Sequence, residues 1–139
     1  MKNKAPLALM EQLIMLLVFA LAAALCLQVF VYAGNTSRRM EARDQAVTME
    51  QNAAEVTKLC GGDLHKAAQM AGGTASPDRW ELTYDEAWQQ TSQEAVYRIV
   101  TEREHTDNAL LGRGTVTALD DAGEVLFRVT VSWQEATDE

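Results

Sequence analysis

Between Glu11 and Arg38 the chain carries no charged side chain, and residues 13–33 are built mainly of Leu, Ala, Val, Phe and Met. As a helix rising 1.5 Å per residue, these roughly 21 residues extend about 30 Å, which matches the hydrocarbon thickness of a bilayer. Gln28 is the most polar group in the run, and Cys26 behaves there as a small apolar residue. This segment therefore reads as a membrane span, and it constrains everything else. A chain of 139 residues leaves room for one further domain.

Removing the span changes the charge picture. Of the 12 Lys/Arg and 20 Asp/Glu residues, only Lys2, Lys4 and Glu11 precede Gly34. The remainder holds ten basic and nineteen acidic groups, a net of −9. Such a domain repels phosphate, so nucleic acid is not an expected partner. The supply of Val, Leu, Ile and aromatic residues, with only 2 Pro, argues against disorder. Lys2, Lys4 and the very short tail before the span favour a cytoplasmic N-terminus and an extracytoplasmic C-terminal domain, against competition from Arg38, Arg39 and Arg43. Cys26 and Cys60 stand too far apart along a continuous helix to bridge, about 50 Å, so the fold must rest on its own core.

The helical signal continues beyond the apolar run. Ala42, Ala46, Met49, Ala53, Val56 and Cys60 recur at alternating steps of four and three, which places them on one helix face. Arg43, Glu50, Gln51, Glu55 and Lys58 are expected on the other. Gly61-Gly62 is a stop signal. A short helix over residues 63–70 and a loop over 72–78 follow. Asn35-Thr36-Ser37 matches a glycosylation sequon, but beside the membrane it reads as a kinked or loosened turn.

The second half changes period. Trp80, Leu82 and Tyr84 alternate with polar residues, as a strand does. Residues 95–104 are β-rich, and 110–119 form a further strand in which Gly112 and Gly114 mark a bulge or a close backbone approach. Asp120-Asp121-Ala122-Gly123 signals a hairpin turn. In the last strand Val125, Phe127, Val129, Val131 and Trp133 share one face. That face needs a cover, and the stripe with Ala46, Met49, Ala53 and Val56 supplies it. The expected fold is α+β: a long N-terminal helix, membrane-embedded in its first half and amphipathic in its second, packed on a C-terminal antiparallel β-sheet of three to four strands. Its parts are a basic leader (1–6), the span (7–33), the helical extension (34–60), a short helix and loop (61–79) and the sheet (80–139).

Catalytic chemistry finds little foothold. His65 and His105 lack a second His or Cys at metal-ligand spacing, the serines lack a nucleophile-elbow context, and the paired glycines do not form a phosphate-binding loop. Asp107, Asp120 and Asp121 read as turn residues rather than as a calcium site. No catalytic residue, metal ligand or cofactor is expected, and the chain does not read as an enzyme.

Glu11 is different. It lies just ahead of the apolar run, where a carboxylate either sits in the headgroup layer near the helix N-terminus or is buried and neutralised by a cation from a neighbouring chain. The stretch Leu7-Ala8-Leu9-Met10-Glu11, behind a short basic leader and ahead of an unbroken apolar helix, resembles the type IV pilin and type II secretion pseudopilin superfamily. In that family the mature chain begins with a hydrophobic residue and carries Glu at its fifth position, the spacing of Leu7 and Glu11. The resemblance implies leader removal and N-terminal methylation, followed by pairing of Glu11 with the amine of an adjacent subunit as helices bundle. The implied partners are the membrane, other pilin-like subunits and an inner-membrane assembly machinery, and the implied place is the cell membrane. Pro6 departs from the small residue, nearly always Gly, that the family carries before the cut, and this works against processing. Two other readings stand beside it. Val31-Tyr32-Ala33 fits signal-peptidase cleavage after Ala33, which would release a secreted acidic binding domain. An unprocessed bitopic scaffold is the other.

Overall fold

The computed structural model describes residues 4–135. Helix α1 runs over Ala5–Leu59 without a break, and Pro6 occupies its first turn, where a missing N–H costs nothing. The chain divides into two units, one ending at Met40 and the other beginning at Glu41. Residues 34–37, expected as a loosened turn, are helical. In the first unit the apolar side chains point outward with nothing on them: Leu13, Phe19, Leu25 and Phe30 are all exposed. One helix is thus long and apolar enough to cross a membrane, and none of its most apolar window is buried within the protein.

The second unit opens with the remaining turns of α1. The helix ends in paired backbone bonds, Gly62 N–H to the Thr57 carbonyl at 2.9 Å and Gly61 N–H to the Lys58 carbonyl at 3.0 Å. This double closure requires a left-handed residue, which Gly61 supplies at φ +61°. Asp63 then caps α2 (Leu64–Ala71), its carboxylate accepting the His65 and Lys66 N–H groups at 3.1 Å.

Five antiparallel strands follow in sequence order: β1 (Thr74–Ser76), β2 (Arg79–Tyr84), β3 (Tyr97–Glu104), β4 (Leu111–Leu119) and β5 (Val125–Gln134). The sheet has one strand more than the expected three to four. The extra one is β1, three residues in the segment expected as a loop, pairing Ala75 with Trp80. Gly, Ser and Pro around it carry the composition of a turn, and a strand of that length shows no alternation to read.

One face of the sheet is covered and the other is wet. Trp80, Leu82, Ile99, Val116, Ala118, Val131 and Trp133 form the core with Ala46 and Ala53 of α1 and Leu64 and Ala67 of α2. Burying the larger of these side chains contributes about 1.5–3 kcal/mol each. The opposite face is charged: Arg79 pairs with Glu81 and with Glu102, both at 3.2 Å, and Arg98 pairs with Glu81 at 2.8 Å. These exposed pairs contribute little to stability. Between β2 and β3, Asp85 closes a turn by accepting the Ala87 and Gln89 N–H groups at 2.9 Å. Trp88 stacks on Tyr97 with ring centroids 4.1 Å apart.

Two core expectations are corrected. Val125 is 46% exposed. A bulge sets Phe127 opposite Ala118 but Val125 opposite Leu119, leaving Leu126 as the extra residue. The alternation slips by one there, so Val125 turns to the outer face and Leu126 packs against the core. Glu50, expected on the solvent face, is 0% exposed. The buried line on α1 is Ala46, Glu50, Ala53 and Thr57, displaced by about half a step from the stripe read in the sequence. Met49, Val56 and Cys60 flank it as half-buried residues.

Candidate functional site

Three places in the molecule concentrate chemistry. The first is the start of α1. Glu11 shares one helix face with Lys4, Leu7, Ala8, Ile14 and Met15, as spacings of three, four and seven dictate. Leu7, Ile14 and Met15 are all exposed. The arrangement is a carboxylate, with Lys4 two turns before it, in an otherwise apolar surface. Pro6 is helical, one residue before Leu7.

The second place is a cleft of about 500 Å³ beside the β3–β4 turn, lined by Arg103, Glu104, His105, Asn108 and Glu135 among others. Its cation is already engaged. Arg103 binds the Glu135 carboxylate and lies 5.7 Å from the centre of the Trp133 ring. The neighbouring Thr106 hydroxyl is engaged with the Asn108 and Leu111 carbonyls, at 3.0 and 2.8 Å, rather than with His105. Among the described residues no three His, Cys, Asp or Glu side chains come together where they could hold a metal ion. Asp120 is occupied in its turn, accepting the Ala122 and Glu124 N–H groups at 3.0 and 2.8 Å.

The third place is Glu50, in the layer between α1 and the sheet. Neither carboxylate oxygen meets a hydrogen-bond partner. Burial pushes its pKa up to about 7, against the opposing influence of the Ala118 backbone amide and the Arg128 guanidinium. Desolvation outweighs both, so burial favours the neutral form. Elsewhere burial raises the Tyr97 hydroxyl, reinforced by the carboxylates of Glu86, Asp121, Asp120 and Glu41. The field around that end of the sheet is therefore acidic.

The residues singled out from sequence fall into separate groups. Ala46, Ala53, Val131 and Trp133 are buried together, with Met49, Val56 and Val129 packed against them. Phe127 is half-buried, and the Arg43 guanidinium lies 5.8 Å from its ring centre. Glu11 belongs to the first unit. Sequence reading missed Glu50, although one signal was present: Glu50 sits four residues after Ala46 and three before Ala53, on the line that Thr57 continues. No protein-family model, curated protein or solved structure matches the chain.

Proposed function

We propose that the chain is a membrane-anchored, pilin-like subunit, a minor pseudopilin or pilin of a type IV pilus or type II secretion-type assembly. It joins its neighbours through the first half of α1. The observation that carries the reading is α1 itself. Its first part exposes an apolar surface that runs on unbroken after Glu11, while its last turns form a core with an antiparallel sheet. Exposed side chains of this size and number need lipid or other helices around them.

In this reading the N-terminus is cytoplasmic and the acidic domain extracytoplasmic. Glu11 pairs with the terminal amine of an adjacent copy, an ion pair that low dielectric makes strong and that a lone carboxylate in lipid requires. No catalytic step is assigned, and the acidic domain is not a nucleic-acid binder.

Intact mass and N-terminal analysis of the protein from its native host tests this. A chain beginning at methylated Leu7 supports the pilin-like subunit. One beginning at Gly34 supports a secreted binding domain. An unprocessed chain, which Pro6 favours, supports a scaffold anchored by α1.

A further inference from the structure

We infer that the docking of the last turns of α1 on the sheet is a proton-controlled clamp, closed when the Glu50 carboxyl is neutral and loosened when it is charged. The geometry is specific. Glu50 is 0% exposed, and both its oxygens are without hydrogen-bond partners. Its neighbours along the buried line are Ala46, Ala53 and Thr57. The Thr57 hydroxyl is already committed to the Ala53 carbonyl at 2.8 Å. Two alanines and two polar side chains make a thin apolar seam, so the state of one carboxyl weighs heavily in whether the seam holds.

Among the described residues no cation faces Glu50 from inside this layer. The strand residues turned toward the helix include Leu82, Ile99, Thr101, Val116, Ala118 and Val131, none of which titrates, and Tyr84 and Tyr97, whose hydroxyls burial raises further from the neutral range. Arg103, at the rim of that face, is held by Glu135. Arg128 lies on the outer face by its pairing with Thr117, to whose hydroxyl its Nε donates at 3.3 Å. On α1 the charged residues nearest in sequence, Arg43, Asp44, Glu55 and Lys58, are exposed, as are His65 and Lys66 on α2. Loss of the proton from Glu50 to solvent therefore leaves a buried charge whose desolvation outweighs the help of the Ala118 backbone amide and the Arg128 guanidinium. Undocking the helix is the way to hydrate it.

The direction follows from linkage. The docked carboxyl has its pKa raised to about 7 from 4.5. Docking is favoured fully below 4.5, and the advantage is lost as pH rises through 7. Between about pH 5.5 and about pH 8.5 the undocked-to-docked ratio should rise by roughly 30-fold.

The test uses the full chain in detergent micelles, as wild type, Glu50→Gln and Glu50→Leu. Hydrogen exchange of the peptide containing residues 46–57 is measured across that pH range by mass spectrometry. Exchange in the wild type relative to either variant should rise roughly 30-fold with pH, while the two variants keep a constant ratio to each other. His65 and His105 are common to all three proteins, so whatever they contribute cancels. A ratio that stays constant with pH overturns the clamp. So does a wild type whose urea midpoint is flat over the range, a result that needs no variant. Failure of Glu50→Gln to fold at the acid end also overturns it, because a neutral group of that shape should dock. Glu50→Leu then shows whether the position tolerates an apolar side chain at all.

Discussion

Gly112→Ala is the substitution whose cost the structure specifies most closely. A Cβ built on Gly112 lies 2.7 Å from Trp133 Cζ2 and closer still to Nε1 and Cε2. Trp133 is only 6% exposed, and the same edge of its indole abuts Gly62, where an added Cβ would also collide. The ring is rigid and has backbone against it from two elements, so it cannot swing clear without opening the core. Overpacking typically costs 1–3 kcal/mol, and a clash with a pinned aromatic belongs at the upper end, about 3 kcal/mol. For a domain of this size that lowers Tm by roughly 15 °C. The assay is urea and thermal unfolding of the full chain in detergent micelles, followed by tryptophan fluorescence. In a Trp133→Leu background the space beside Gly112 is empty, and Gly112→Ala should then cost under about 0.5 kcal/mol, a coupling of about 2.5 kcal/mol. Equal cost in both backgrounds, or a cost below about 1 kcal/mol with Trp133 present, refutes the packing argument.

Three further outcomes follow from the same geometry. Val131→Ala, in the core, should cost about 2–3 kcal/mol in urea unfolding, whereas Val125→Ala, turned outward by the bulge, should cost under about 0.5 kcal/mol. Asp120→Ala removes the acceptor of two backbone N–H groups in the β4–β5 turn and should cost about 1 kcal/mol by the same measurement. Gly34→Ala adds a methyl with nothing within 4 Å inside a continuous helix. It should raise helicity in micelles, by about 0.5–1 kcal/mol of helix stability, and a loss of helicity would mean that α1 is broken there.

Much of this fold is legible in the sequence because its signals are periodic. Trp80, Leu82 and Tyr84 alternate, and they line one side of β2; Gly61-Gly62 ends α1, and Asp120 to Gly123 turns β4 into β5. Gly112 reads as a close approach, which Trp133 makes it. The failures share a cause. Val125 keeps perfect alternation in sequence, yet one extra residue in the pairing reverses it, and bulges leave no hydropathy trace. Glu50 and Thr57 occupy the centre of the helix stripe, but their polarity removes them from any apolar count. β1 is too short to show a period. At the start of α1 the Leu7–Glu11 spacing is plain in sequence, whereas the proposed pairing of the Glu11 carboxylate with another copy is not a property that a single chain displays.

In the proposed assembly the first half of α1 meets other copies in a membrane, with Glu11 holding them. A photoreactive residue at Ile14, one turn from Glu11, reads this directly in membranes of the native host. Illumination should give a ladder of covalent oligomers from the otherwise wild-type chain. With Glu11→Ala it should give monomer alone, the protein remaining in the membrane fraction with a protease-resistant domain. An undiminished ladder with Glu11→Ala, or a chain recovered in the soluble fraction, would contradict the account.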